Sequence, residues 1–161
     1  MSNPNRWEAG RVWQLPDEAA LRQLALAFGR CLRAPLVIYL QGDLGSGKTT
    51  FARALIQGLG YSGRVKSPTY GLLESYQVGG FDFLHLDLYR IENPAELEYL
   101  AISEQFTENG VLLIEWPEKA LETLPAADIR MIFKESGEIR SIEFEVNSEM
   151  GLKVIGSLKS A

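Results

Sequence analysis

The sequence predicts an α/β protein with a parallel central sheet, antiparallel additions and helices on both faces. An apolar, β-prone run over 36–40 leads into the motif G-x-x-x-x-G-K-[ST] at 42–49. A run with apolar residues at helical spacing follows from Thr49 to Leu59. A second uninterrupted apolar run, Val111 to Ile114, is typical of a strand buried in a parallel sheet. Strand, glycine loop and helix in this order predict the P-loop nucleoside-triphosphatase fold.

Before the glycine motif we predict a short strand and one amphipathic helix. The strand covers Arg11 to Leu15, and the helix covers Asp17 to Leu32, where apolar residues recur every three or four positions. Asp17 can accept a hydrogen bond at the helix N-terminus. Cys31, the single cysteine, shares the apolar face of this helix, so we expect a buried thiol rather than a reactive one.

After the motif we predict a loop, a hairpin and a short helix. Pro68 disfavours helix before it, so 63–69 is predicted as a loop. Strands over 70–78 and 81–89 flank a Gly-Gly pair, which is a hairpin signal. An Asn-Pro pair begins a helix over 94–100.

The C-terminal part predicts an antiparallel pair and a last short helix. The two predicted strands run from Asp128 to Lys134 and from Ile139 to Val146, and a turn at Gly137 joins them. The predicted helix covers Met150 to Leu158. We find no repeats or linkers. A chain of 161 residues is therefore predicted to form one domain over 1–161.

Composition limits the classes of protein to which the chain can belong. The polar first ten residues lack the apolar stretch of a signal peptide, and no apolar run approaches the ~20 residues of a membrane span. We therefore expect no membrane association and a cytoplasmic protein. A net charge of −5 and a pI near 5.0 disfavour strong direct binding of nucleic acid.

The motif at 42–49 predicts a phosphate site. Its glycines let backbone N–H groups turn toward phosphate oxygens, and the following helix N-terminus adds positive potential. Lys48 is predicted to reach the β- and γ-phosphates, and the Thr49 hydroxyl to ligate Mg²⁺. The residues of this segment that we expect to bind the nucleotide are Asp43, Leu44, Gly45, Ser46, Gly47, Lys48, Thr49 and Thr50.

A second acidic residue is needed to hold Mg²⁺, usually at the end of a hydrophobic strand. Glu115 ends an uninterrupted apolar run, which suits a central strand next to the phosphate loop, so we predict it as the metal residue. Asp87 ends a more alternating strand. Asp87 could orient the attacking water or hold a metal-bound water, or it could bind Arg90 or a backbone N–H as an ordinary strand-end carboxylate.

Three further residues have open roles. Thr69 could contact Mg²⁺ or the γ-phosphate from a loop that orders with the triphosphate, or lie in an ordinary Ser-Pro turn. His85 is the only histidine, which excludes a histidine-based zinc site, and we expect a structural role for it. Trp116 is either core filler or a lid over the metal region.

Four motifs appear in order at close spacings and together resemble the TsaE (YjeE) family of bacterial ATPases. They are GDLGSGKTT at 42–50, SPTY at 67–70, HLDLYR at 85–90 and EWPE at 115–118. The resemblance covers nearly the whole chain and is far more specific than the glycine loop alone. It implies an ATP- and Mg²⁺-dependent protein that supports threonylcarbamoyladenosine modification of tRNA.

The resemblance also implies roles for single residues. Lys48 would bind phosphate, and Thr49 and Glu115 would hold Mg²⁺. Thr69 resembles the switch-loop threonine of the family, and Asp87 resembles its second acidic residue.

Further residues are implied to lie near the metal and the base. Trp116 resembles the tryptophan beside the metal site. Asp17, Ile139 and Arg140 are implied to lie near the base end of the nucleotide.

The resemblance implies that ATP hydrolysis is a regulatory or resetting step. The threonylcarbamoyl group is transferred to adenosine 37 of ANN-decoding tRNAs by the TsaD–TsaB pair, on which a TsaE-like chain is expected to dock. The partners would then bind tRNA, and this chain would contact it only indirectly. Turnover is expected to be slow for the chain alone and faster with the pair.

Three other classes remain open. A small P-loop kinase would transfer phosphate to a small molecule, but no arginine-rich segment follows the helix predicted over 94–100. A GTPase would read guanine, but the chain has no Asn-Lys-x-Asp segment. A non-hydrolysing scaffold would retain nucleotide only for stability.

Overall fold

A seven-stranded sheet forms the centre of the residues that the computed structural model describes, 11–68 and 72–159. Its strands are β1 (Arg11–Leu15), β2 (Leu36–Gln41), β3 (Leu73–Val78), β4 (Phe81–Asp87), β5 (Gly110–Glu115), β6 (Ile129–Ser136) and β7 (Ile139–Val146). The helices are α1 (Glu18–Cys31), α2 (Lys48–Gly58), α3 (Ile102–Gln105) and α4 (Glu149–Lys159), and 3₁₀ turns cover Pro94–Leu100 and Pro117–Lys119. Within this described part, no helix is long and apolar enough to cross a membrane.

The strand order β1-β7-β6-β2-β5-β4-β3 places the parallel strands at the centre of the sheet. β2 pairs in parallel with β5 and with β6, and β5 pairs in parallel with β4. β3, β7 and β1 add antiparallel pairs at the two sides. The predicted parallel core with antiparallel additions is therefore confirmed.

Both faces of the sheet are covered, which explains the uninterrupted apolar runs of the central strands. In β2, the side chains of Leu36, Ile38 and Leu40 pack with those of α1, α2 and α4 on one face. Val37 and Tyr39 pack on the other face with the first 3₁₀ turn and with the chain that follows β5. A strand buried on both faces needs an apolar side chain at every position, so alternation is lost.

The helix α1 begins as the sequence predicts and packs through its apolar face. Asp17 Oδ1 accepts a hydrogen bond from the backbone N–H of Ala20 at 2.8 Å. The ring of Phe28 lies edge-on to that of Phe51 in α2, with centroids 5.7 Å apart. Cys31 is only half-buried, and burial raises the pKa of its thiol. A raised pKa leaves less thiolate, as expected of an unreactive cysteine.

The strands of the β3–β4 hairpin are shorter than predicted. β3 begins at Leu73, and the predicted strand residues 70–71 lie outside the described residues. β4 ends at Asp87 rather than Tyr89. The Asp87 carboxylate accepts a hydrogen bond from the backbone N–H of Tyr89 at 3.0 Å, which is the local pairing of an Asx turn. This pairing turns the chain away from the sheet.

The segment between β4 and β5 also differs from the prediction. The helix predicted over 94–100 is a 3₁₀ turn, and the short helix α3, which the sequence analysis missed, follows it. Ala101 separates the two with a φ of 48°, in the left-handed region, where an α-helix cannot continue. Asn93 caps the turn by accepting a hydrogen bond from Ala95 N at 3.0 Å.

Gly151→Ala is expected to destabilise the protein by about 1–3 kcal/mol, because a Cβ there would lie 2.4 Å from the backbone oxygen of Asp128. The matched control is Gly156→Ala in the same helix, where a Cβ would meet nothing within 4 Å. Alanine favours helix over glycine, so this control should be neutral or stabilising by about 0.5–1 kcal/mol. Urea unfolding of both variants measures the difference, and equal midpoints would contradict the packing of α4 on β6.

Candidate functional site

The loop between β2 and α2 has the geometry that its glycines predict. Gly45 and Gly47 have φ angles of 77° and 109°, in the left-handed region that glycine adopts without strain. A Cβ at Gly47 would lie only 3.1 Å from Leu21 Cδ2, so α1 packs closely behind the loop. α2 begins directly after Gly47, and its N-terminus supplies backbone N–H groups and positive potential. The loop is therefore shaped to hold an anion.

A cavity of about 600 Å³ lies beside this loop. The predicted site residues that line it are Leu44, Gly45, Gly47, Lys48, Thr49, Thr50, Asp87, Glu115, Trp116 and Arg140. Asp17, Asp43, Ser46 and Ile139 do not line it. Thr69 lies outside the described residues, although its neighbour Ser67 lines the cavity. The cavity thus brings together most of the residues that were predicted from separate motifs.

Thr49 and Glu115 meet at the end of the cavity where β2 and β5 end. The register pairs Leu40 of β2 with Glu115, which places the carboxylate beside the start of the glycine loop. Thr49 Oγ1 donates to Glu115 Oε1 at 2.8 Å and lies 3.1 Å from Oε2. Glu115 is 2% exposed, so its charge is held away from bulk water.

The donor set of this pair fits Mg²⁺. A hydroxyl and a carboxylate are hard oxygen ligands, and Mg²⁺ in nucleotide sites takes one or two such protein ligands with phosphates and waters. Among residues 11–68 and 72–159, no group of three histidine, cysteine, aspartate or glutamate side chains could hold a metal ion. The further ligands of a cation bound by Thr49 and Glu115 would be phosphate oxygens and waters.

Lys48 is almost fully buried and is held by neutral groups of the site. Its Nζ donates to the carbonyl oxygen of Gly42, at the start of its own loop. The same ammonium lies 3.5 Å from the centroid of the Trp116 ring, a cation–π contact. Burial lowers the pKa of Lys48, while the charges of nearby carboxylates, led by Glu115 and Glu118, act in the opposite direction. A phosphate would have to draw the ammonium away from these contacts.

Trp116 forms a wall of the cavity. Its backbone has a φ of 59°, which is a strained conformation for a bulky residue and costs about 1–3 kcal/mol. This conformation ends β5 sharply and directs the chain into the turn Pro117–Lys119. The ring lies 5.0 Å from that of Tyr89, centroid to centroid. Trp116 also packs against the apolar cluster of which Val37 and Tyr39 are part, so features of both of its predicted roles are present.

Asp87 has both of the features that the sequence analysis considered as alternatives. Its side chain is 5% exposed and lines the cavity. Asp87 is also the residue of β4 that pairs with Glu115 of β5. It also accepts the backbone N–H of Tyr89, as a strand-end carboxylate does. The structural role is therefore present, and its part in catalysis stays a prediction.

His85 is the site residue that sequence reasoning missed. Its ring is fully buried, and its Nε2 lies 2.6 Å from Glu115 Oε2. Only a structural role was predicted for it, because a lone histidine on a strand carries no motif. The one signal in the sequence is the alternation that places His85 on the same face of its strand as Asp87.

The residues predicted near the base are only partly at the cavity. Arg140 lines it, and the Arg140 Nε is 3.3 Å from Glu135 Oε1. The carboxylate of Asp17 is used to cap α1, while its neighbour Glu18 lines the cavity. Ile139 is half-exposed. Contacts of these residues with a base stay predictions.

The sheet topology and the glycine loop are those of the P-loop nucleoside-triphosphatase fold. A family model described as Threonylcarbamoyl adenosine biosynthesis protein TsaE matches residues 15–142. The chain belongs to the TsaE family, as the four sequence motifs indicated.

Proteins of known name and structure are similar to this chain over most of its length. It is 38% identical over 151 residues to the tRNA threonylcarbamoyladenosine biosynthesis protein TsaE of Haemophilus influenzae, a match that covers 91% of this chain and 96% of the relative. The protein of the same name from Bacillus subtilis is 37% identical over 124 residues, with 76% and 75% covered. The crystal structure of Bacillus subtilis YdiB matches with a TM-score of 0.81 at 26% identity, covering 95% of this chain and 96% of that chain.

Lys48→Ala is expected to weaken the binding of an ATP analogue about 10- to 150-fold, which corresponds to the loss of one charge-assisted hydrogen bond. The matched control is Lys153→Ala on α4, which removes the same charge from an exposed side chain that does not line the cavity. Titration calorimetry measures both affinities. Equal affinity of the Lys48 variant and the control would contradict the role assigned to the loop.

Proposed function

We propose that this protein binds ATP with Mg²⁺ and hydrolyses it in support of tRNA threonylcarbamoylation. The observation that carries the proposal is the pairing of Thr49 Oγ1 with Glu115 Oε1 at 2.8 Å beside a glycine loop. A hydroxyl from the first turn of α2 and a carboxylate from the neighbouring strand are the protein groups that hold Mg²⁺ in P-loop nucleoside triphosphatases.

The chemistry proposed for the site is attack of water on the γ-phosphorus, with cleavage of its bond to the β–γ bridging oxygen. Lys48 would leave the Gly42 carbonyl and neutralise charge on the β- and γ-phosphates. Asp87 would orient the attacking water through its carboxylate. Mg²⁺, when bound by Thr49 and Glu115, supplies further neutralisation of the phosphate charge.

Family membership supports a specific place for this ATPase in tRNA modification. The relatives are named for biosynthesis of threonylcarbamoyladenosine in tRNA, and we extend that role to this chain. The modified base would be adenosine 37 of tRNAs that read ANN codons, and the TsaD–TsaB pair would transfer the group in a ternary complex with this protein. The net charge of −5 supports a division in which the partners bind the tRNA. The cytoplasm is the compartment that this role requires.

Phosphate release without any added acceptor is expected for the wild-type protein with Mg²⁺ and ATP. Asp87→Asn should lower kcat about 10²- to 10⁴-fold with little change in nucleotide affinity, because the amide oxygen can still accept the Tyr89 N–H while the charge is lost. The matched control is Asp82→Asn, at the opposite end of β4, which bonds to Thr107 and does not line the cavity. Phosphate transferred only to a small-molecule acceptor would favour the alternative, a P-loop kinase.

Basal turnover is expected to be slow and to rise when the TsaD–TsaB pair is added, because the sequence shows no evident arginine finger. A coupled phosphate-release assay with and without the pair measures the change.

Filter binding of tRNA to the chain alone should be weak at physiological salt. Equal rates with and without the pair, or nanomolar tRNA binding, would contradict the proposed division of labour.

A further inference from the structure

His85 is a buried neighbour of Glu115, the carboxylate proposed to bind the metal. It is fully buried on β4, next to β5, and does not line the cavity. Its Nε2 lies 2.6 Å from Glu115 Oε2, while Thr49 Oγ1 approaches Glu115 Oε1 at 2.8 Å. The two carboxylate oxygens thus have different principal partners.

The surroundings of the His85 ring indicate which of its two nitrogens carries the hydrogen. Within the described part of the chain, His85 Nδ1 is buried and has no hydrogen-bond partner. A hydrogen on Nδ1 alone would leave a buried donor unpaired and would bring two acceptors, Nε2 and Glu115 Oε2, to 2.6 Å. A hydrogen on Nε2 instead lets the ring donate to the carboxylate. The unpartnered Nδ1 is then a lone pair, which is less costly to bury than an unpaired N–H.

We propose that His85 is a positioning residue for the metal site: it donates from Nε2 to Glu115 Oε2 and leaves Oε1 directed to the Thr49 hydroxyl and the incoming cation. The inference rests on the proposed function, since it concerns the same Mg²⁺–nucleotide site. A group that hydrogen-bonds to a metal-ligating carboxylate raises the affinity of the metal site. Without such a group, the carboxylate must lose conformational freedom when the metal binds.

A purely structural role for His85 has a different consequence. If the ring only fills buried space, any side chain of similar size should preserve metal binding. If the Nε2 donor is what matters, then glutamine, whose amide nitrogen can reach the same position, should substitute for it. Methionine has the length of glutamine without the donor. The pair His85→Gln and His85→Met therefore separates the two roles.

The first test is a titration of Mn²⁺ into each variant saturated with a non-hydrolysable ATP analogue, followed by electron paramagnetic resonance. His85→Met should bind Mn²⁺ about 10- to 100-fold more weakly than wild type, and His85→Gln should recover most of the loss. Affinity for the analogue in the presence of a chelator should be the same in all three proteins. Phe83→Leu, a buried substitution two residues earlier on β4, controls for lost packing and should bind Mn²⁺ as wild type does.

The outcomes distinguish this inference from the proposed function. Mn²⁺ affinity in His85→Met equal to that of wild type would overturn the positioning role alone. Absence of Mn²⁺ binding in wild type with the analogue would overturn the metal site and the positioning role together.

The second test needs no variant and therefore does not depend on whether His85→Met folds. The chain has one histidine, so ¹⁵N–¹H correlation spectra of the untagged protein report His85 without an assignment step. Nε2 should carry a hydrogen, and its ¹⁵N shift should change when Mg²⁺ is added to the protein saturated with the analogue. A bare Nε2, or a shift that Mg²⁺ leaves unchanged, would overturn the inference.

Discussion

The parallel pairing of β2 with β5 is the constraint on which the rest of the site depends. It places Leu40, two residues before the glycine loop, opposite Glu115. A slip of one residue would turn Glu115 to the other face of the sheet, because side chains alternate along a strand. Burial on both faces and the parallel partners β4 and β6 fix this register. The Thr49–Glu115 contact is thus a product of the whole sheet rather than of the loop alone.

Several buried polar groups of the site are paired with one another. Lys48 is held by the Gly42 carbonyl and the Trp116 ring, and Glu115 is held by Thr49 and His85. Buried charges require such partners, since an unpaired one is costly in a low-dielectric interior. If the protein binds nucleotide as proposed, phosphate oxygens would replace the Gly42 carbonyl and the Trp116 ring as partners of Lys48.

The sequence predicted the groups that have local signals and missed those that arise from the sheet. The glycine loop, Thr49 and the strand-end Glu115 follow from spacing and apolar runs, and the structure brings them together as predicted. The His85–Glu115 contact joins residues 30 positions apart, and nothing in either segment alone specifies it. The left-handed backbone of Trp116 likewise has no sequence signature, because glycine is the residue expected there.

A crystal structure with Mg²⁺ and a non-hydrolysable ATP analogue tests the central claim most directly. We expect Mg²⁺ within about 2.1 Å of Thr49 Oγ1 and of a Glu115 carboxylate oxygen, in the octahedral geometry that this ion requires. Lys48 Nζ should have moved from the Gly42 carbonyl to the β- and γ-phosphates. Mg²⁺ bound away from Thr49 and Glu115, or Lys48 still on the Gly42 carbonyl with the analogue in place, would contradict the account.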